Sequence, residues 1–127
     1  LRIHWSINSL KIIKDNIFLG AGFGSFEREY KKIDNIYSTS NPHNQYILIL
    51  VEGGVVGLSI FIGLFTFILR KLLILTTLER YIGISTIVIF GVGCLFNSWL
   101  LDFRSMMLLV FILGYCWSNT YDEKNSN

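Results

Sequence analysis

Three apolar runs after residue 45 constrain the fold of this chain more than any other feature. The first, Tyr46 to Leu69, contains one charged side chain, and the second, Tyr81 to Leu101, contains none. A helix of about 20 residues, rising about 1.5 Å per residue, crosses a hydrocarbon core about 30 Å thick, and both runs are long enough. The third run, Ser105 to Ser118, is shorter and would need its flanking residues to span. We therefore predict an all-α, polytopic integral membrane protein with about three transmembrane helices.

The composition agrees with this prediction. Hydrophobic residues make up 52% of the 127-residue chain, and the mean hydropathy is +0.51, which is more apolar than is usual for a soluble domain of this size. The alternative is a buried helical hairpin of a soluble protein, but two neighbouring runs of this length are rare in soluble cores. Aromatic rings that favour the lipid–water boundary also lie near the run ends, namely Tyr46, Tyr81, Trp99 and Trp117.

Charge and cysteine content narrow the possible functions. A net charge of +2 gives no indication of nucleic-acid binding. Cys94 and Cys116 both lie in apolar runs, so we predict small buried side chains rather than a disulfide. His4 and His43 are the only histidines, and no Cys/His cluster has the spacing of metal ligands. We therefore expect no metal and no other cofactor.

The residues before the first run are of a different kind. Leu1 is not an initiator methionine and no signal-peptide pattern opens the chain, so we expect the C-terminal part of a longer protein. "LGAGFGSF" ends a first helical segment, and residues 27–41 read as a polar loop with room for a short helix. We predict a loop segment at residues 1–44 and transmembrane helices with a short tail at residues 45–127. The helical segment should be amphipathic, lying on a membrane or on the rest of the protein, because apolar residues recur at helical spacing: Ile3, Ile7, Leu10, Ile13 and Ile17.

Basic residues indicate the orientation. Arg70, Lys71 and Arg80 crowd the connection between the first two runs, and the positive-inside rule places that connection in the cytoplasm. Residues 1–44 then face outward, as does the turn after the second run, while the C-terminal tail returns to the cytoplasm. Basic residues before the first run weigh the other way, but a long segment can translocate despite its charge.

One histidine lies at the start of the first run. Asn41 is a good helix N-cap and Pro42 suits the first helical position, so we predict that His43 falls in the first turn of the helix. The free N–H groups and positive dipole end there disfavour an imidazolium and favour a nearby phosphate. A neutral base beside a phosphate-binding pocket would suit a reaction on a lipid-linked phosphate. The alternative is a histidine that merely caps or anchors the helix.

A glutamate lies inside the same run. A charge in a membrane is costly unless it faces other helices or water. Gln45, Glu52 and Ser59 recur at every seventh position, so we predict that they share one helix face that points into the bundle. We favour a structural hydrogen-bonding role for Glu52 over a catalytic one.

Two short motifs lie before the first run. Arg2 and Trp5 could anchor the segment at the membrane interface, or Arg2 could clamp a phosphate through its planar guanidinium. "GAGFG" lacks the full Gly-x-Gly-x-x-Gly pattern and follows no strand, so we do not assign it to phosphate binding. We predict instead a turn that lets the backbone pass close to its neighbours.

These motifs together resemble the C-terminal half of the O-antigen ligase and polymerase family. The chain carries "RIHW", "IIKDNIFLGAGFGSF", "NPHNQYILILVEGGVVGL" and "FNSWLLDFRSMMLLVFILG" in the expected order, from Arg2 to about Gly114. The most specific piece is His-Asn-x-Tyr-x-Leu followed by Glu-x-Gly-x-x-Gly-Leu, which starts at His43 and at Glu52.

The resemblance implies a polytopic protein of the bacterial inner membrane that handles undecaprenyl-pyrophosphate-linked glycans. It implies metal-independent transfer of such a glycan to an acceptor sugar, with an essential histidine at His43 and an essential arginine at Arg2. A second family arginine would lie upstream of this chain. The acceptor glycan and the lipid bilayer are the further partners. Residues expected to bind substrate are Asn44, Tyr46, Asp102 and Arg104.

Two other functions remain open at this point. A glycan or lipid transporter fragment without catalysis would use Glu52 to line a pathway. A membrane-interaction module would need no chemistry from His43.

Overall fold

The chain folds into helices joined by short connections. The computed structural model describes residues 2–75 and 77–125, with side chains for residues 3–75 and 78–118. These residues confirm the predicted all-α class. The helices are α1 (Arg2–Asp15), α2 (Phe26–Ile33), α3 (Gln45–Leu72), α4 (Thr77–Phe96) and α5 (Phe103–Asn125).

Two of the helices are long and apolar enough to cross a membrane. They are Gln45–Leu72 and Leu78–Phe96, which correspond to the first two predicted spans. Only 28% of each apolar stretch is buried, whereas the core helix of a soluble protein would be mostly covered. The third apolar stretch, Phe103–Ser118, is a shorter helix, so a third span stays a prediction among the residues that the structure describes.

The described residues form two compact units. The first contains α1, α2, α3 as far as Ile62, and Cys94–Ser98. The second contains Gly63–Gly93 and the chain from Trp99 onward. The boundary between a loop segment and a membrane part at residue 44 stays a prediction.

The first unit has an apolar core that α1, α2 and α3 share. Burying one large apolar side chain contributes about 1.5–3 kcal/mol, so this cluster accounts for much of the unit's cohesion. The short helix α2 lies at the start of the polar loop predicted at residues 27–41, where the sequence allows a short helix. The buried core residues are Ile12, Ile13, Phe26, Tyr30, Leu48 and Val51.

Helix α1 leaves most of its apolar stripe exposed and buries an adjoining face. Of the apolar stripe, only Ile13 is buried, while Ile3, Ile7, Leu10 and Ile17 are exposed. The buried face instead combines Ile12 and Ile13 with two polar residues, Asn8 and Ser9. These polar groups have partners: Asn8 Nδ2 donates to the Tyr30 hydroxyl at 3.3 Å and Ser9 Oγ donates to the Trp5 carbonyl at 2.7 Å. Helical spacing identified a stripe correctly, but these hydrogen bonds let a more polar face pack inward.

In the second unit, aromatic rings pack around Phe90. Its ring lies 6.0 Å from that of Phe65 and 5.7 Å from that of Trp99, between centroids. Trp99 also lies against Gly93, where a side chain would overlap the indole ring. Cys94 in the first unit and Cys116 in the second are buried and are not disulfide-bonded in the described structure, as the sequence predicted.

Helix α3 is broken at Gly54, which has φ 62° and ψ −161°. This conformation is essentially restricted to glycine. In an unbroken helix, the N–H groups of Val55 and Val56 would donate to the carbonyls of Val51 and Glu52. The break leaves all four of these backbone groups without their helical partners.

The loop after α1 supplies replacement partners for all four groups. Val55 N–H donates to the Ile17 carbonyl at 2.9 Å and Val56 N–H to the Phe18 carbonyl at 3.2 Å. In return, the Val51 carbonyl accepts from Ala21 N–H at 2.8 Å and the Glu52 carbonyl from Gly22 N–H at 2.9 Å. The break therefore costs no buried hydrogen-bonding capacity, and it fastens the "LGAGFG" loop to α3.

Two glycines permit this close approach. A Cβ at Gly20 would overlap the carbonyl group of Glu52, and a Cβ at Gly54 would overlap the carbonyl group of Phe18. Both residues also have positive φ, at 70° and 62°. The glycine-rich motif is thus the close-passing turn that the sequence predicted.

Replacing Gly54 by alanine should strongly destabilise the protein. The cost combines about 1–3 kcal/mol for the backbone conformation with about 1–3 kcal/mol for overpacking against Phe18. The measurement is thermal unfolding of the purified protein in detergent, supported by its abundance in membranes.

Two matched glycines separate these causes. Gly24 has positive φ but open space around its α-carbon, so Gly24→Ala should cost only about 1–2 kcal/mol. Gly63 is helical with open space, so Gly63→Ala should be neutral or stabilise by up to about 1 kcal/mol. Equal stability of the Gly54→Ala and Gly63→Ala variants would contradict the role given to the break.

Candidate active site

The site is built around the residues that precede α3. The helix begins at Gln45, and its N-cap is Asn44, whose Oδ1 accepts from Tyr46 N–H at 3.0 Å and Ile47 N–H at 3.1 Å. The predicted cap at Asn41 is therefore wrong by three positions. His43 lies before the helix, and two N–H groups of the first turn are already bonded to Asn44, which weakens the case for a phosphate at this helix end.

Asn41 holds the backbone of His43 in an unusual conformation. His43 has φ 53°, in the left-handed region that few non-glycine residues adopt. Its N–H donates to Asn41 Oδ1 at 2.8 Å, and the same oxygen accepts from Ser98 Oγ at 2.6 Å. Strained backbone of this kind persists where the surroundings determine it, and such positions cluster at functional sites.

The imidazole of His43 has neighbours on two sides. Its ring centroid lies 5.4 Å from that of Trp5, with the planes tilted by 32°. Its Nδ1 lies 3.3 Å from Asn97 Oδ1. Trp5 is itself held, because its Nε1–H donates to the Tyr37 carbonyl at 3.2 Å. The "RIHW" and "NPHNQY" motifs, which are well separated in the sequence, thus meet at one ring.

An apolar groove of about 290 Å³ opens beside His43. One wall is the exposed stripe of α1, and the other is the end of α4. This placement accounts for the exposed apolar side chains of α1, since they line a cavity beside the histidine. The lining residues are Ile3, Ser6, Ile7, Leu10, Pro42, His43, Asn44, Leu95 and Phe96.

Asp34 fastens the turn that holds Trp5. Its Oδ1 accepts from the N–H groups of Ile36 and Tyr37, at 3.1 and 3.0 Å, and its Oδ2 lies 2.7 Å from His4 Nε2. The hydrogen bond with His4, followed by that from Tyr37, lowers the pKa of the Asp34 carboxyl below its ordinary value of 3.8. The turn that receives the Trp5 hydrogen bond is thereby tied to α1.

Glu52 acts as a hydrogen-bonding group in the fold. Its Oε1 accepts from Phe26 N–H at 3.4 Å, at the first residue of α2. This contact agrees with the predicted structural, hydrogen-bonding role of Glu52. The shared face with Gln45 and Ser59 is wrong, because the break at Gly54 interrupts the helical phase and Ser59 is exposed.

The structure places the remaining predicted site residues as follows. Arg2 is the first residue of α1, but its side chain lies outside the described residues. Tyr46 packs its ring against Phe61 at 5.8 Å between centroids. Asp102 and Arg104 belong to the second unit, where Asp102 caps α5 by accepting from Ser105 Oγ and N–H at 2.5 and 3.2 Å. Substrate binding by Tyr46, Asp102 and Arg104 stays a prediction.

The cap of α5 also perturbs the Asp102 carboxyl. The hydrogen bonds from Ser105, first that of the side chain and then that of the backbone, lower the pKa of Asp102 below its ordinary value. Asp102 is exposed and remains a carboxylate at neutral pH.

Asn97 is the site residue that sequence reasoning missed. It follows α4 directly, next to Ser98, and the two interrupt an apolar run that was treated as one span. Two consecutive polar residues in such a run are a signal that the helix ends there. Their partners, 54 and 57 residues away in sequence, carry no local signal.

These observations define a class of protein: an all-helical chain with two span-like apolar helices and a histidine-centred site beside an apolar groove. Residues 1–62 match the sequence model of the O-antigen ligase family, which confirms the resemblance read from the sequence. These residues, just under half of the 127-residue chain, are similar to that family. The match ends at Ile62, so the resemblance of later residues stays a prediction. No curated protein and no solved structure matches the chain.

Replacing Asn44 should weaken the start of α3 in two separable ways. Asn44 Oδ1 caps the helix, and its Nδ2 donates to the Leu95 carbonyl at 3.1 Å. Asn44→Ser keeps a capping oxygen and loses the amide bond to Leu95, whereas Asn44→Ala loses both. We expect Asn44→Ala to cost about 1 kcal/mol more than Asn44→Ser in thermal unfolding in detergent. Equal costs would contradict the assignment of Asn44 as the cap.

The Asp34 carboxylate should make stability pH-dependent in acid. Because its pKa is lowered by folding, its contribution is fully present above pH 3.8 and is lost as the pH falls through the lower folded-state value. Asp34→Asn should be less stable than the parent at pH 6, and the difference should shrink below pH 4. Thermal unfolding across that range measures it, and a difference that grew in acid would contradict the assignment.

Proposed function

We propose that this protein is an enzyme of bacterial surface-polysaccharide assembly, a glycosyltransferase-type O-antigen polymerase or ligase. It transfers a glycan from undecaprenyl pyrophosphate to an acceptor sugar. The observation that carries the proposal is the position of His43, whose ring lies against Trp5 and within hydrogen-bonding distance of Asn97, beside an apolar groove. The family match of residues 1–62 supports it.

His43 acts as the general base in this proposal. Its free ring nitrogen accepts the proton of an acceptor hydroxyl, and the oxygen attacks the sugar carbon that carries the pyrophosphate. A new carbon–oxygen bond forms as the bond to pyrophosphate breaks. Undecaprenyl pyrophosphate leaves with the bonding electrons, and His43 then returns the proton to solvent. The products are the extended glycan and the lipid pyrophosphate.

Arg2 stabilises the leaving group. A guanidinium binds phosphate oxygens bidentately, and the charge on them grows as the bond breaks. Arg2 opens α1, three positions before Trp5, which contacts His43. Asn44, Tyr46, Asp102 and Arg104 are proposed to shape the substrate pocket. For Asn44 this would add to its role as helix cap.

The protein is proposed to be a multi-pass protein of the bacterial inner membrane, with residues 1–44 in the periplasm. The break at Gly54 supports a start of the membrane span near Gly54. The part of α3 from Val55 to Leu72 rises about 27 Å, close to the thickness of a hydrocarbon core. Glu52 then lies outside the hydrocarbon, which removes the cost of a charge within the span.

Replacing His43 by alanine tests the proposal. We expect long glycan chains to fall by about 10²-fold or more in cells that express His43→Ala, since a general base contributes about 10²–10⁴-fold. Glycan length on gels is the readout, with immunoblots of membranes to show that the variant is still present. Lys14→Ala is the control, because Lys14 is an exposed residue of α1 that does not line the groove beside His43.

Other outcomes would assign the other functions. Unchanged glycans with altered export of the lipid-linked precursor would favour a transporter. Unchanged glycans and unchanged export would leave a membrane-interaction module. Either result would overturn catalysis by His43.

A further inference from the structure

Asn97 fixes which nitrogen of His43 carries a proton. Asn97 Oδ1 accepts from Ser98 N–H at 2.9 Å. A backbone N–H can only donate, so the side-chain atom at this position is an acceptor oxygen. The same oxygen lies 3.3 Å from His43 Nδ1. Two acceptors do not bond, so a hydrogen bond between these two atoms requires the hydrogen on Nδ1.

This tautomer leaves Nε2 as the proton acceptor of the ring. In a neutral imidazole, one nitrogen donates and the other accepts, and the bond made by one determines the state of the other. A base oriented in this way by a third group is the arrangement that nucleophile-activating histidines use. The distance of 3.3 Å is long, as catalytic hydrogen bonds often are before substrate binds.

The surroundings limit how far the imidazole can move. The indole of Trp5 lies against one side, and the backbone of His43 is fixed through Asn41, which Ser98 also contacts. Asn97 therefore contacts the ring of His43, and Ser98 supports its backbone through Asn41.

We propose that Asn97 is a positioning residue that holds His43 as the Nδ1–H tautomer, with Nε2 available to take the proton of the acceptor hydroxyl. This inference rests on the proposed function for its catalytic consequence. The tautomer itself exists without substrate and can be measured independently of activity.

The test is nitrogen NMR of the protein labelled with ¹⁵N-histidine, in detergent at pH 8, where an ordinary imidazole is neutral. The His43 signals are assigned by their loss in His43→Ala. We expect the parent protein to show a protonated Nδ1 and an unprotonated Nε2. Asn97→Leu removes the acceptor, and the Nε2–H form should then appear. Asn97→Asp retains an acceptor oxygen, and the Nδ1–H form should persist.

We expect glycan assembly in cells to change in parallel with the tautomer in these variants. Long glycans should fall by about 10-fold or more with Asn97→Leu and should be restored toward the parent level with Asn97→Asp, with Asn35→Leu as the matched control at an exposed asparagine. A merely structural Asn97 would leave the tautomer unchanged.

The outcomes separate this inference from the proposed function. A parent protein with Nε2–H, or an unchanged Nδ1–H signal in Asn97→Leu, overturns the positioning role whatever the activity. Full glycan assembly by His43→Ala overturns the proposed function while the tautomer measurement still stands. The parent spectrum decides the tautomer even where a substitution reduces folding.

Discussion

The first unit depends on the exchange of hydrogen bonds at the break in α3. Four backbone groups that a regular helix would pair internally are paired instead with the loop after α1. Each unsatisfied buried group would cost about 1–3 kcal/mol, so a break without its loop would be untenable. The loop in turn has its position only because Gly20 and Gly54 lack side chains. Through the loop, α1 and α2 are connected to the start of α3.

That connection brings together residues from distant parts of the chain. Trp5 comes from α1, His43 from the segment before α3, and Asn97 from the segment after α4. Each is held by a backbone contact of its own element or a neighbouring one, so the imidazole is surrounded by fixed groups. If His43 is the base that we propose, preorganisation of this kind would let it act without rearrangement. The apolar groove lies directly beside the imidazole.

The sequence predicted the parts of the fold that depend on local patterns. Long apolar runs predicted α3 and α4, and the glycine motif predicted a close-passing turn. The cap was misplaced because Asn41 and Asn44 are both good caps. In the fold, Asn41 Oδ1 bonds to His43 N–H and Ser98 Oγ, and Asn44 caps the helix. The buried face of α1 does not follow from apolar spacing, because Asn8 is buried through a hydrogen bond to Tyr30 of α2. Asn97 could not be linked to His43, since no local pattern connects residues 54 positions apart.

The order of these segments along the chain has a consequence for how the protein is made. The loop at residues 17–22 leaves the ribosome before the helix that it completes. When the Val51–Val56 stretch emerges, its four hydrogen-bonding partners already exist and need only dock. In a chain with the loop placed after α3, these four backbone groups would lack their partners until the loop was synthesised. In this order of segments, the loop that completes the interrupted helix is already synthesised when the helix is translated.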